Sequence, residues 1–191
     1  MNRKNAILSI FILGGAALIT WAGIKGYSIN KKPDIRYLNT HFDLINELAE
    51  RIIPLSDTPG AKEVGAGEII LYLIINTANR HNQNLFIEGL KSVDQYALEK
   101  FGKTFVDLKI SQQDFIVDFF YKKDNYLPRK LQRVSNKILG KPFFATLKYY
   151  TTLAYCTSKK GATQALAYDY IPGEYKGCIP IVLNQPSWAT K

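Results

Sequence analysis

From Thr40 onward, apolar side chains return every three or four residues in one segment after another, and no segment alternates apolar with polar. That spacing lines one side of a helix, whereas a strand needs a period of two, so the chain is restricted to helices packed on helices. Phe42, Ile45, Leu48, Ala49, Ile52 and Ile53 follow the pattern as far as Pro54, behind Thr40 and Asp43 as an expected capping pair. "EIILYLIINTANRHNQ", residues 68–83, is apolar on every side through Ile75, which predicts a centrally buried helix. Its β-branched residues leave a strand open, although the segment outruns usual strand length. Leu85, Phe86, Leu90, Val93, Ala97 and Phe101 predict the next helix, closing at Gly102. Ser111 and Asp114 are expected to cap another, with Phe115, Ile116, Phe119 and Phe120 turned inward and Asp118 paired with Lys122 on the surface. Pro128 opens a helix to about Leu139, "KPFFATLKYYTTLAYCT" supplies one more, and Ser158 caps a short last one around "GATQALAY". The expected fold is all-α, a bundle of about six helices in a single domain over residues 40–191.

Ahead of this body, Arg3 and Lys4 precede "AILSIFILGGAALITWAGI", residues 6–24, which carries no charge. As a helix it would extend about 28 Å, matching the roughly 30 Å of a bilayer's hydrocarbon. Residues 1–24 are therefore read as a signal peptide or a retained anchor, with retention favoured because the apolar run exceeds a usual signal core. Positive charge on its short leading side places the body on the far side of the membrane. Residues 25–39, beginning "KGYSINKKPD", read as a tether.

The formal charge of +9 is concentrated: residues 122–160 hold ten Lys or Arg against the single acid Asp124. Arg129, Arg133, Lys137 and Lys141 step by four along one helix face. Such a stripe either keeps a helix wet or attracts anionic lipid, an anionic polymer or an acidic subunit. No base-reading groups are interleaved with it, and an exported location argues against nucleic acid.

Catalytic patterns are missing. Gly60 and Gly65 have phosphate-loop spacing, but Ala66 and Gly67 stand where Lys and Ser or Thr are required. Asp114 and Asp118 are one turn apart and are explained as surface acids; His41 and His81 have no ligand spacing around them. No metal, cofactor or nucleophile site is expected in this chain. Cys156 and Cys178 are either two free thiols or a bridge worth about 3 kcal/mol in the loop-entropy picture.

Two punctuated stretches carry a resemblance. "LAERIIPLSDTPGAKEVGAGEII" and "YYTTLAYCTSKKGATQALAYDYIPGEYKGCIP" resemble the leading loop and the closing signature of the gluconate 2-dehydrogenase subunit 3 family, and together span about residues 40–182. The resemblance implies a non-catalytic small subunit of a periplasmic or membrane-bound flavoprotein dehydrogenase acting on a sugar or sugar acid. FAD would sit in a partner of the glucose-methanol-choline oxidoreductase type, electrons would leave to a cytochrome c subunit or another acceptor, and the small subunit would assist export, folding or docking. The chain would then work on the periplasmic side of the inner membrane. Arg3-Lys4 departs from the twin-arginine signal that family members often carry. Lys159 stands where an acid is commoner and Cys156 where an aromatic is commoner.

On the matching positions, Pro54, Asp57, Thr58, Pro59 and Gly60 are expected to form a stiff turn, with Gly60 at positive φ and Asp57 bonding loop amides. Pro172, Gly173, Gly177 and Pro180 would do likewise at the other end, with Tyr168, Tyr170 and Tyr175 as interface rings. These loops either join helices and nothing more or present a partner surface. The alternative function is a membrane-tethered helical binding module that uses the basic stripe.

Overall fold

The computed structural model describes residues 31–124, 128, 131–133, 136, 140–171, 173–174, 177–178, 180 and 183–189. The apolar stretch 6–24 lies outside them, as do Arg129, Lys137, Pro172 and Tyr175. The described residues include the α-helices α1 (Ile35–Thr40), α2 (Phe42–Ile52), α3 (Ala66–Thr77), α4 (Arg80–Phe101), α5 (Ile110–Asp124) and α6 (Phe143–Thr157), and helical residues at 131–133 and 136, within the segment expected as a helix after Pro128. A 3-10 turn spans Phe105–Asp107 and one wider π turn spans Gly161–Ala165. No described residue belongs to a strand; an isolated bridge joins Ala167 to Trp188. No helix among them is long and apolar enough to cross a membrane.

The body begins earlier than the tether reading placed it. The Asp34 carboxylate accepts the Tyr37 N–H at 3.1 Å and starts α1, which buries Leu38 completely. Thr40 therefore ends α1 instead of capping α2; its hydroxyl donates to the Arg36 carbonyl. The long apolar segment divides where Ala78 turns extended, and the Asn79 side chain caps α4 by accepting the Asn82 N–H. Helix α4 ends as expected, with Gly102 at φ 70° in the left-handed region that glycine tolerates best. At α5, Gln112 reaches back to the Lys109 N–H, so Ser111 and Asp114 are not the cap.

Helix α6 occupies the middle. It packs against α2, α3, α4 and α5, and buries Phe144, Leu147, Thr151, Ala154 and Tyr155. Helix α3, which holds residues 68–75, also packs against four helices, but it is not buried on every side as expected: Tyr72 faces solvent. Helix α5 turns Ile116 and Phe120 inward but leaves Phe115 and Phe119 partly exposed, against the sequence reading. Phe119 stacks on Tyr96 with ring centroids 4.4 Å apart, and Phe115 meets Phe101 edge-on. The Lys122 and Asp118 pair forms as read, at 2.6 Å.

Asp124 joins the last turn of α5 to the first of α6. Its Oδ2 accepts the Phe144 N–H at 2.8 Å and the Ala145 N–H at 3.3 Å, serving helix donors that Pro142 cannot cap. Burial pushes its carboxyl above the ordinary value, against the two amide bonds and Lys123, which pull it down. Because the folded value is raised, the associated stability is present at low pH and lost as pH rises through the folded pKa. The stability of wild type minus that of Asp124→Asn should therefore fall as pH rises through the range just above an ordinary carboxylate. Asp124→Ala, which removes the acceptor, should cost about 1 kcal/mol at neutral pH. Urea titrations across pH measure both, and an unchanged difference across that range would contradict the assignment.

Candidate partner-binding end of the bundle

The loop from Ile53 to Gly65 is organised by one carboxylate on the preceding helix. Glu50 lies in the last turn of α2, where carbonyl dipoles disfavour an acid, and it is 8% exposed. Its Oε1 accepts the Leu55 N–H and its Oε2 the Lys62 N–H, each at 2.9 Å, so a single side chain clips the outgoing and returning limbs. The Ala61 N–H donates to the Ile53 carbonyl at 2.9 Å between them. A Cβ at Gly60 would stand 2.5 and 2.7 Å from the Glu50 oxygens and 2.8 Å from the Leu55 nitrogen, leaving no room for a side chain. Glycine is required there for space. Positive φ falls at Gly65 instead, at 71°, where the loop turns into α3.

Pro54, Leu55, Ser56 and Asp57 form the exposed crest, with Leu55 65% exposed. Ser56 donates its N–H to the Thr58 carbonyl and accepts the Thr58 N–H on its hydroxyl, the role expected of Asp57. Thr58 is half-buried, and Pro59 and Gly60 are buried against the chain itself. Pro59 and Gly60 therefore brace the loop from beneath and do not present its surface.

The second signature arrives at the same place. The Tyr155 hydroxyl, 96 residues beyond Pro59 in the chain, donates to the Pro59 carbonyl at 2.8 Å in a buried contact. One turn on, the Ser158 hydroxyl donates to the Tyr155 carbonyl at 2.7 Å and accepts the Gly161 N–H at 3.0 Å, which starts the π turn as its capping role anticipated. A Cβ on Gly161 would collide with the Tyr155 carbonyl. Lys160 meets Glu63 at 3.2 Å, and Lys62 pairs with Glu47. The chain beyond is held once more, by the Ala167 N–H to the Ser187 carbonyl and the Ala189 N–H to the Ala167 carbonyl.

Tyr168, Tyr170 and Ile171 are exposed, Tyr170 at 85%, as are Gly173, Gly177 and Pro180. Cys156 and Cys178 are both exposed and free, so the bridge left open by sequence is not formed here. Of the basic stripe, Arg133 and Lys141 are described and exposed; the Lys141 ammonium lies 5.4 Å from the centre of the Tyr149 ring.

An open groove runs from this end along the body between α2, α5 and α6. One part, about 330 Å³, is lined by Arg51, Ile52, Asp114, Val117, Tyr121 and Lys148 among others, and Arg51 faces Asp114 at 3.6 Å. Sequence reasoning treated Asp114 as a cap and passed over Arg51 and Glu50. The signal for Glu50 was an acid in the last turn of a helix, immediately before a proline-rich loop. His41 stacks on Tyr37 with centroids 3.8 Å apart, and among the described residues no group of three His, Cys, Asp or Glu could hold a metal ion.

These features define a helical scaffold whose two sequence signatures are built into one braced end. The model of the gluconate 2-dehydrogenase subunit 3 family matches residues 39–173, and the chain belongs to that family. No curated protein and no solved structure matches it.

Removing the braces should loosen this end. Tyr155→Phe, which strands a buried carbonyl, should destabilise by about 1–3 kcal/mol, and Glu50→Ala, which strands two amides, by about 3 kcal/mol. Gly60→Ala should be costly and Gly173→Ala, where nothing lies near an added Cβ, neutral. Urea midpoints and limited proteolysis after Leu55 check the series; equal midpoints for all four variants would contradict it.

Proposed function

We propose that this chain is a non-catalytic accessory subunit of an FAD-dependent sugar or sugar-acid dehydrogenase complex, exported and held on the periplasmic side of the inner membrane by its N-terminal apolar stretch. It docks a flavoprotein of the glucose-methanol-choline oxidoreductase type through the crest Pro54–Asp57 and the aromatic tail from Tyr168. A cytochrome c subunit or another acceptor takes the electrons. Its contribution is to fold, deliver or seat the catalytic subunit.

One observation carries the reading. Two signatures separated by about half of the chain meet through the Tyr155 and Pro59 contact, and beside that contact the exposed residues include Leu55 while the Pro59 carbonyl and the Leu55 and Lys62 amides are satisfied internally. A stiff loop with an apolar crest loses little conformational freedom when a partner covers it. Large rings with one polar edge, such as Tyr168 and Tyr170, suit an interface that is dry on one side and wet on the other.

Co-expression with the catalytic subunit should yield a yellow complex that reduces an artificial electron acceptor when sugar is added, whereas the isolated chain should be colourless and inactive. Leu55→Glu combined with Tyr170→Glu should cut recovery of the flavoprotein at least about tenfold, as loss of a central apolar anchor does, without moving the melting temperature of the free subunit. Turnover by the isolated chain, or full recovery with the double variant, would overturn the reading.

A further inference from the structure

We infer that the end of the bundle opposite the braced loops is a docking face for an anionic bilayer surface, so that the subunit stands on the membrane with its partner-binding end pointing away. This rests on the reading of residues 6–24 as a membrane segment.

Two helices separate the ends. Helix α3 runs from Gly65, in the braced loop, to Ala78 beside the start of α4, and helix α6 runs from Pro142 to Tyr155 at the Pro59 carbonyl. Their lengths of 12 and 15 residues correspond to about 18 and 22 Å. At the far end the first turns of α4 gather three stretches of chain. Asn84 donates to the Lys31 carbonyl at 2.7 Å, and a Cβ on Gly140 would touch Leu85 and His81, so Lys31, Arg80 and Lys141 belong to neighbouring backbone.

The charges there are mostly positive. Lys31, Lys32, Arg36, Arg80, Arg133 and Lys141 are all exposed. The acids nearby are Asp34 and Asp124, whose oxygens turn onto helix amides, Asp118, which Lys122 pairs, and Asp43 and Glu88, which are exposed. Ion pairing differs between the ends. Among the described residues, Arg51, Lys62 and Lys160 near the braced loop each have a carboxylate within 4 Å; towards the far end Lys122 pairs with Asp118, but none of the six cations named above has such a partner. Cations left without carboxylates on one face produce a field that an anionic lipid surface neutralises.

The chain's own length brings the membrane to this face. The apolar stretch closes at Ile24, and seven residues further on Lys31 is held by Asn84, a span of at most about 25 Å. An anchored body must therefore approach the bilayer by this end, where each Lys or Arg near anionic lipid adds to the attraction.

The test uses the full chain reconstituted into vesicles of phosphatidylcholine alone or with phosphatidylglycerol, carrying a headgroup energy acceptor. A donor dye is attached either to Cys156 at the braced end, with Cys178→Ser, or to Arg80→Cys at the far end, with both native cysteines replaced by Ser. In phosphatidylglycerol vesicles the far-end donor should transfer much more strongly, by a separation of about 20 Å. In phosphatidylcholine alone, or at about 0.5 M salt where exposed charges are screened, the difference should shrink. Lys31→Glu with Lys32→Glu and Arg36→Glu should abolish it. Equal transfer from both donors in phosphatidylglycerol vesicles at low salt, in protein that still floats with those vesicles at high salt, would overturn the docking face while leaving the anchor intact. Flotation at low salt alone, with the far-end donor still nearer, would support the face and remove the anchor. Failure to float at any salt would overturn both.

Discussion

The Glu50 carboxylate, held by the Leu55 and Lys62 amides, is the contact on which the rest of this end depends. A carboxylate accepting two backbone N–H groups makes charge-assisted bonds, stronger than neutral ones. With both limbs clipped, Gly60 must lie flat on the carboxylate, and the Pro59 carbonyl is left pointing at Tyr155. The hydrogen bond that follows ties the loop to the central helix, and Ser158 then sets the direction in which the chain leaves that helix. Sequence punctuation that reads as a simple turn is thus a lock between the front and back of the chain.

The lock explains why one small domain can serve as a scaffold. Helix α6 touches four other helices and ends at the braced loop, so the packing that stabilises the core also fixes the loop's position. The crest Pro54–Asp57 needs no support from a partner to hold its shape, because its polar backbone is anchored underneath. In the proposed complex, binding would cover a surface that already exists.

Helical class and the stop at Gly102 were legible because period and glycine punctuation are local properties. Family membership was legible for a related reason, since both signatures are short and ordered. What the sequence hid was long-range. Residues 68–75 are apolar on every side, yet only Ile70 and Ile74 are fully buried and Tyr72 faces solvent, because burial depends on where neighbouring helices lie, not on composition. Asp57 looked like the loop's acceptor because it lies in the loop; the acceptor came from Glu50, and the requirement at Gly60 is a clash invisible without coordinates. Phe115 and Phe119 pair with Phe101 and Tyr96 near the surface, a compromise that periodicity cannot register.

The central claim is that the braced end is where the catalytic subunit binds. Amide hydrogen exchange of the subunit, free and within the co-purified flavoprotein complex, tests it most directly. Exchange should slow on complex formation at residues 54–58 and 168–171 and stay unchanged in the first turns of α4. Slowing confined to α4 and α5, with the crest exchanging as freely as in the isolated chain, would contradict it.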